Sequence, residues 1–302
     1  MKIGIIIVNY YGENDTIECI ESINECYSHQ ENIHIVLVNN NYTEKFDKSL
    51  LNKLKINITI IDNFENKGFA EGCNIGIRKA LDFGCDYVAL INNDTIFVDN
   101  SLLSAIASLN GEQDLGILGL VNYFLDNPEE VWQSGFISRL NSGRTYSLKL
   151  PKSYDSNDIA FVDYVPGSSI IIKSEVFNKV GLLDPKYFAY FEEYDFCVRT
   201  KKAGYKIGVL LGSKILHKVG RSSDSPTKLY LRTRNKLLFY KQNANNCGFL
   251  MAFFKHLGIS VLRIMFAQRE KKALFKAMVW GIKDYYNGVF YYGSLNKIVQ
   301  KK

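Results

Sequence analysis

Apolar residues come in short unbroken runs, set apart by stretches of helical period. Residues 3–8 read IGIIIV, with no polar alternation, as a strand covered on both faces would. Further β-rich runs fall at 33–38 (IHIVLV), 56–61 (INITII), 86–91 (DYVALI) and 115–121 (LGILGLV). Helical spacing occupies about 15–23, 69–83 and 101–109. Strands alternating with helices predict an α/β fold, with a mostly parallel central sheet, helices on both faces and right-handed crossovers. Ligands of such sheets collect beyond the carboxyl ends of the strands. The loops that open near Asn9, Asn39, Asp62 and Asn92 are therefore the ones to search.

The pattern changes after about residue 122. Residues 123–160 are rich in Asn, Ser, Gly and Asp, which predicts loops and short strands. Residues 161–172 (FVDYVPGSSIII) read as strand, Pro-Gly turn and strand. Helices are expected at 174–180 and 193–203, short strands at 205–210 and 214–217, and a predominantly helical extension from about Pro226.

Charge separates that extension from the body. The 302 residues carry a net charge of +6, yet 248–302 hold ten Lys and Arg against two Asp and Glu. The rest of the chain is left at −2, which argues against a nucleic-acid groove across the main domain. Residues 248–268 are apolar but interrupted by Lys255, His256 and Arg263, and no run there approaches the ~20 residues that span a bilayer. An amphipathic helix on an anionic membrane face is expected; the other reading is a basic helix packed on the domain or in an oligomer. Aromatic residues make up 13%, with 19 Tyr and 19 Phe, and serve a core or flat ligands such as sugar faces. Six cysteines, with no C-x-x-C pair, read as reduced buried thiols. The N-terminus reads as a strand and not as a signal peptide, so a cytoplasmic location is expected.

Four segments carry candidate chemistry. Residues 66–76 (NKGFAEGCNIG) place Gly68 at a tight turn, with Gly72 and Gly76 four apart where a helix could approach the sheet. The helix start there could face a phosphate, or the segment is an ordinary Gly-rich βα turn. Asn92-Asn93-Asp94-Thr95 follows a strand, where a carboxylate can hold a divalent cation against a diphosphate or form an Asx turn. Glu192, Glu193 and Asp195 open a helix, which suits the helix dipole. Their aromatic flanks also suit a desolvated general base. His217 follows a short apolar strand and is either a metal ligand or structural. Arg232 and Arg234, with Asn235, could clamp phosphate or form surface ion pairs.

Taken in order, these segments resemble the family 2 glycosyltransferases, in particular the rhamnosyltransferase-like branch. The resemblance covers roughly residues 3–240. It rests on Ile7-Val8-Asn9-Tyr10, Val38-Asn39-Asn40, the N-x-G-F-A-x-G-x-N-x-G run from Asn66, and Leu90 to Thr95. Pro166-Gly167-Ser168, Val180 to Asp184, Glu192-Glu193-x-Asp195, His217 and Arg234-Asn235 complete it. The family implies a GT-A fold: a nucleotide-binding half, here 1–122, and an acceptor-binding half, 123–225, followed by the extension 226–302. It implies inverting transfer from a nucleoside-diphosphate sugar, UDP- or dTDP-linked, to a hydroxyl of a glycan or lipid-linked glycan in surface polysaccharide synthesis, with Mg2+ or Mn2+. Such an enzyme would sit peripherally at the inner face of the cell membrane.

Carried over by position, Val8, Asn9, Tyr10, Asn39 and Asn40 line the nucleoside pocket, and Asn66, Gly68 and Asn74 lie near ribose and diphosphate. Asn92, Asn93, Trp132 and Arg234 belong to the donor site, Asp94 and His217 hold the metal, and Glu193 is the base supported by Glu192 and Asp195. Asn39, Asn92 and Glu193 stand where the family commonly has Asp, so the metal turn keeps a single carboxylate, Asp94. A nucleotide-sugar-binding regulator or scaffold without turnover is the alternative that this departure motivates. A sugar-phosphate nucleotidyltransferase is disfavoured, because no Gly-rich, Lys- or Arg-bearing loop follows the first strand.

Overall fold

The computed structural model describes residues 1–41, 43–219 and 225–298. Its centre is β1 (Ile3–Asn9), buried at every position. Alternate side chains go to opposite layers. Ile3, Ile5 and Ile7 pack with Cys19, Ile20 and Ile23 of α1 (Glu13–Tyr27). After α1, β2 (Ile33–Asn39) and β3 (Asn57–Asp62) extend the sheet on one side of β1, each parallel to its neighbour. Ile6 and Val8 meet Ala70, Cys73 and Ile77 of α2 (Gly68–Asp82) on the other face. β4 (Tyr87–Asn92) pairs parallel with the free side of β1. These registers set Asn9, Asn39 and Asp62 side by side, and Asn92 opposite Val8, at the carboxyl ends.

Beyond β4 the sheet is mixed. It is built from β5 (Thr95–Phe97), β6 (Leu115–Phe124), β7 (Val131–Gln133), β10 (Ile159–Phe161), β11 (Ser169–Lys173) and β12 (Lys206–His217), while β8 (Phe136–Arg139) and β9 (Arg144–Ser147) form a separate hairpin. The order is β10-β12-β6-β11-β4-β1-β2-β3. β6 and β12 are parallel, and β11 enters antiparallel between β4 and β6. α3 (Ser101–Gly111) lies over the α1 face; α4 (Ser174–Val180) and α5 (Glu192–Lys202) cover the face of α2.

Two local expectations change. The strands read on either side of the turn in 161–172 do not pair with each other: β10 pairs with β12, whereas Ile170 to Ile172, apolar throughout, take a central position. The Pro166-Gly167-Ser168 turn is thereby freed to line the cleft described below. The strands expected at 205–210 and 214–217 are one strand, with an irregular register between Leu210 and Ile215. Ser213 bridges the irregularity, donating to the Leu210 carbonyl and accepting from the Val121 N–H.

The extension comprises α6 (Pro226–Asn243), α7 (Asn246–Phe266), α8 (Lys271–Tyr286) and the short α9 (Leu295–Ile298). α7 corrects the expectation that no segment there reaches bilayer length. It is continuous over 21 residues, with a mean hydropathy of 1.6 in its most apolar window, long and apolar enough to cross a membrane by length and composition. Lys255, His256 and Arg263 interrupt the composition but not the backbone hydrogen bonding. The cysteines are all free; Cys19, Cys73, Cys85 and Cys197 are buried as expected, Cys26 is half-buried and Cys247 is exposed.

A Cβ on Gly76 would fall 2.3 Å from Ile6 Cγ2, so the glycine sets how closely α2 lies on β1. Gly76→Val is expected to destabilise the fold by about 1–3 kcal/mol through overpacking. A lower urea midpoint with an unchanged m value would show it.

Candidate active site

At the carboxyl ends of β1 to β3 the polar side chains bond chiefly to one another. Asn9 donates to Asn39 Oδ1 at 3.0 Å and accepts from Thr16 Oγ1 at 3.0 Å. Asn39 donates to Asp62 Oδ1 at 2.9 Å, so the strand beside Asn39 brings a carboxylate to the amide. Asn40 donates to the Gly68 carbonyl at 2.9 Å and accepts from Asn63. Val8 packs beneath against Gly72, and Tyr10 stands half exposed, its phenol in contact with Asn66. Asn66 in turn accepts from the Gly68 N–H at 3.0 Å. Gly68 has φ +85°, and a Cβ there would meet the Phe188 carbonyl at 2.4 Å; that close approach requires the glycine.

The turn that carries Asp94 is assembled by strand register. β5 pairs with the end of β12, setting Thr95 opposite His217, and the Lys218 N–H donates to the Asp94 carbonyl at 2.8 Å. His217 Nε2 then lies 3.4 Å from Asp94 Oδ1, without hydrogen-bond alignment. Burial raises the Asp94 pKa, partly offset by His217, and lowers that of His217, partly offset by Asp94. The imidazole is therefore held neutral, the form that ligates metals. Trp132 packs on the His217 ring with centroids 4.3 Å apart, and its other side lines the cleft. Asn92 faces the cleft too, whereas Asn93 turns back to α1 and donates to Thr16 Oγ1.

Across that cleft, of about 520 Å³, stand Glu192 and Glu193. The turn before them is strained: Phe188, Tyr190 and Phe191 have φ of 65°, 71° and 79°. Side chains larger than glycine adopt such values at about 1–3 kcal/mol each. The strain is held by the pair Arg234-Asn235. Asn235 donates to the carbonyls of Tyr187, Ala189 and Tyr190 at 2.7–2.8 Å, and Arg234 donates to those of Lys186, Tyr187 and Tyr291. Burial pushes the Glu192 carboxyl well up, reinforced by the Glu193 charge. Burial raises Glu193 as well, but neighbouring backbone N–H groups and Arg232 pull it down. Both carboxyls are thus pushed up by burial, and so close together they titrate as a pair.

Besides Asn93, three expected site residues are placed elsewhere. Arg234 is fully buried, and its guanidinium is committed to backbone carbonyls, so it positions the turn and does not reach the donor. Asn74 is buried against Leu183, donating to its carbonyl and accepting from its N–H, so it ties α2 to the 183–187 segment and faces no ligand. Asp195 points away from the cleft, receives Arg199 Nε at 2.7 Å and Asn243 Nδ2 at 3.2 Å, and anchors α5. Arg232 and Lys228, four residues apart on α6, line the cleft instead. The signal was in the sequence: two residues along a helix turn about 200°, so Arg232 and Arg234 cannot face the same way. The Gly220-Arg221-Ser222 part of the segment that begins at His217 lies outside the described residues.

Among the described residues, the buried side-chain polar atoms without a hydrogen-bond partner are Asp94 Oδ1, Glu192 Oε2, Glu193 Oε2 and both ring nitrogens of His217. Native proteins rarely leave such atoms unpaired unless a ligand completes them. No group of three or more His, Cys, Asp or Glu that could hold a metal occurs among the described residues. Asp94 and His217 alone suit a cation such as Mg2+ that takes its remaining oxygens from substrate phosphate and water.

The sequence matches glycosyl transferase family 2 over residues 4–180, more than half of its length, and the chain belongs to that family. It is 26% identical over 252 residues to the low-salt glycan biosynthesis hexosyltransferase Agl10 of Haloferax volcanii, covering 78% of this chain and 74% of that one. It is 23% identical over 225 residues to the dTDP-rhamnosyl transferase RfbF of Shigella flexneri, covering 71% and 73%. GalNAc-T7, solved with UDP, GalNAc and Mn2+, superposes with a TM-score of 0.60 at 14% identity over 85% of this chain; the chain spans 55% of the length of that one. The fold is that of the GT-A glycosyltransferases.

Replacing Asn235 with Leu leaves the Ala189 and Tyr190 carbonyls without their donor. We expect Asn235→Leu to destabilise the chain by about 3 kcal/mol. We also expect turnover to fall more than tenfold while nucleotide-induced thermal stabilisation persists. Chemical denaturation and a thermal-shift titration would separate the two effects.

Proposed function

We propose that this chain is an inverting transferase, moving a sugar from a UDP- or dTDP-linked donor to a hydroxyl of a glycan or lipid-linked glycan. One observation carries the reading. The unpaired buried atoms fall into two groups, a carboxyl pair that lines the cleft and a carboxylate–imidazole pair behind Trp132. Inverting transfer needs a base on one side of the sugar carbon and neutralisation of the leaving diphosphate on the other. Glu193 takes the proton of the acceptor hydroxyl as its oxygen attacks the anomeric carbon, and the bond from that carbon to the diphosphate breaks with the electron pair leaving on the diphosphate. Glu192 stands beside it, and the burial that raises both carboxyls opposes two negative charges facing the acceptor together.

Asp94 and His217 would hold Mg2+ or Mn2+, and a cation there supplies positive charge against the diphosphate oxygens. Arg232 and Lys228 add fixed positive charge at the cleft. Phe136 and Tyr164 stack at a 4.6 Å centroid distance on its wall and offer flat apolar surface to a sugar ring. The hexosyltransferase and rhamnosyltransferase relatives support a sugar donor, and the neighbour solved with UDP and Mn2+ supports a nucleotide and a divalent cation.

Thermal-shift screening of UDP, dTDP and their sugars, with and without Mn2+, tests donor and metal together. Asp94→Ala is expected to remove the Mn2+-dependent part of the shift. Glu193→Gln should retain the shift and lose about 10²–10⁴-fold in transfer. Full turnover in both variants would end these assignments. Binding without any turnover in the wild type would favour a regulator.

The base must be ionised to act, so activity falls as pH drops through its pKa. With that pKa raised, the acid limb of kcat/KM is expected above the ~4.3 of an ordinary glutamate. Arg232 lowers it, so Arg232→Gln should move the limb to still higher pH, as a pH profile of kcat/KM would show.

A further inference from the structure

α7 turns a mixed side to the rest of the chain: Gly248, Ala252, Ser260 and Ile264 are buried, Phe249 and Leu257 pack half-buried, and His256 Nε2 meets Thr233 Oγ1 of α6 at 2.9 Å. Backbones meet at this seam, for a Cβ on Gly248 would fall 2.7 Å from Asn141 Cα. The outward residues are large and apolar. Eight of them on α7 are exposed, among them Phe254 at 63%, Leu262 at 55%, Met265 at 60% and Phe266 at 80%. A helix facing water shows the reverse arrangement, and exposed apolar surface on this scale marks an interaction face.

Charge selects the occupant. The apolar face is rimmed by Lys255 and Arg263, and the neighbouring α8 sets exposed Phe275 and Val279 among Lys272, Lys276 and Lys283. Behind the rim, Lys236 of α6 sits near Arg232 and Lys255; burial, then those two like charges, lower its pKa to about 8. Of the two acidic residues in this region, Asp284 is buried and bonded to Tyr230 and Ser294. A second copy would bring two such positive faces together. An anionic lipid surface neutralises the rim and receives the apolar side chains.

The seam also selects the orientation. It runs from Gly248 to Ile264, nearly the whole helix, so crossing a bilayer would strip α7 from the domain. We propose that the outer face of α7, with the basic stripe of α8, seats this chain flat on an anionic lipid leaflet. This rests on the transferase reading only for its consequence. Thr233 holds α7 while the adjacent Arg232 lines the cleft, so a seated helix brings the cleft beside the membrane, where a lipid-linked acceptor hydroxyl would be presented.

Vesicle flotation of the full chain tests the seat. Partition onto phosphatidylglycerol vesicles should exceed that onto phosphatidylcholine vesicles at least tenfold and weaken in about 0.5 M salt. The triple variant Phe254→Ser, Leu262→Ser, Phe266→Ser should lose at least tenfold in partition, with helix content and donor hydrolysis retained. Equal partition onto both lipids, or a triple variant that binds like wild type, would overturn the proposal. So would a concentration-dependent wild-type dimer that the triple variant abolishes, which gives the face to a second copy. Resistance of the bound wild type to alkaline carbonate extraction would overturn the flat orientation. Donor hydrolysis is read separately: its absence in wild type would remove the transferase reading and leave the membrane result standing.

Discussion

The site depends on a strained turn and the two side chains that hold it. Phe188, Tyr190 and Phe191 sit at positive φ immediately before Glu192 and Glu193. Left to itself, the segment would relax and carry both carboxyls away from the cleft. Asn235 accepts Arg234 Nε at 3.0 Å and spends its own N–H groups on the turn, so the pair works as one unit. Gly68 completes the arrangement from the other side, where any side chain would collide with Phe188. The loop after β3, the turn before α5 and the middle of α6 are thus fixed against one another, although they lie far apart in the chain.

Fixing that turn makes an electrostatic arrangement possible that folding alone would oppose. Two adjacent carboxyls are buried, which raises both pKa values. A carboxylate and an imidazole are likewise placed together without hydrogen-bond alignment. Elsewhere the chain satisfies such groups: Asp195 has Arg199, and Asp284 has Tyr230 and Ser294. The exceptions gather around one cleft. That pattern is expected where local stability has yielded to ligand binding.

The first half of the fold was legible because β1, β2 and β4 are buried and read as unbroken apolar runs. The second half was less so, because a strand, turn and strand at 161–172 does not say which strands pair, whereas the all-isoleucine centre of β11 takes a central place in the sheet. Site residues divide in a similar way. Glu193 and Trp132, named from motif order, line the cleft, and Asp94 stands behind Trp132 beside His217. Arg234, Asn74 and Asp195 were misassigned because a polar residue in a motif can be kept for what it does to the backbone, and sequence order does not separate a ligand contact from a carbonyl contact. α7 was misjudged in length for a different reason: Lys255, His256 and Arg263 break the apolar run without breaking the helix, which is continuous over 21 residues.

The cleft, α7 and the strained turn all meet α6. Arg232 faces the cleft, Thr233 holds α7, and Arg234 with Asn235 clamps the turn. Successive helical residues point about 100° apart, so three neighbouring faces of one helix serve three functions. The compositional boundary near Pro226 therefore does not separate a catalytic body from an accessory tail. A body ending before α6 would keep the 92–95 turn and both glutamates, and the Ala70 N–H would still reach the Phe188 carbonyl, yet it would lose the Asn235 amide that receives the Ala189 and Tyr190 carbonyls. For the same reason, α7 is joined through Thr233 to the helix that braces the turn before the two glutamates, one residue from the cleft.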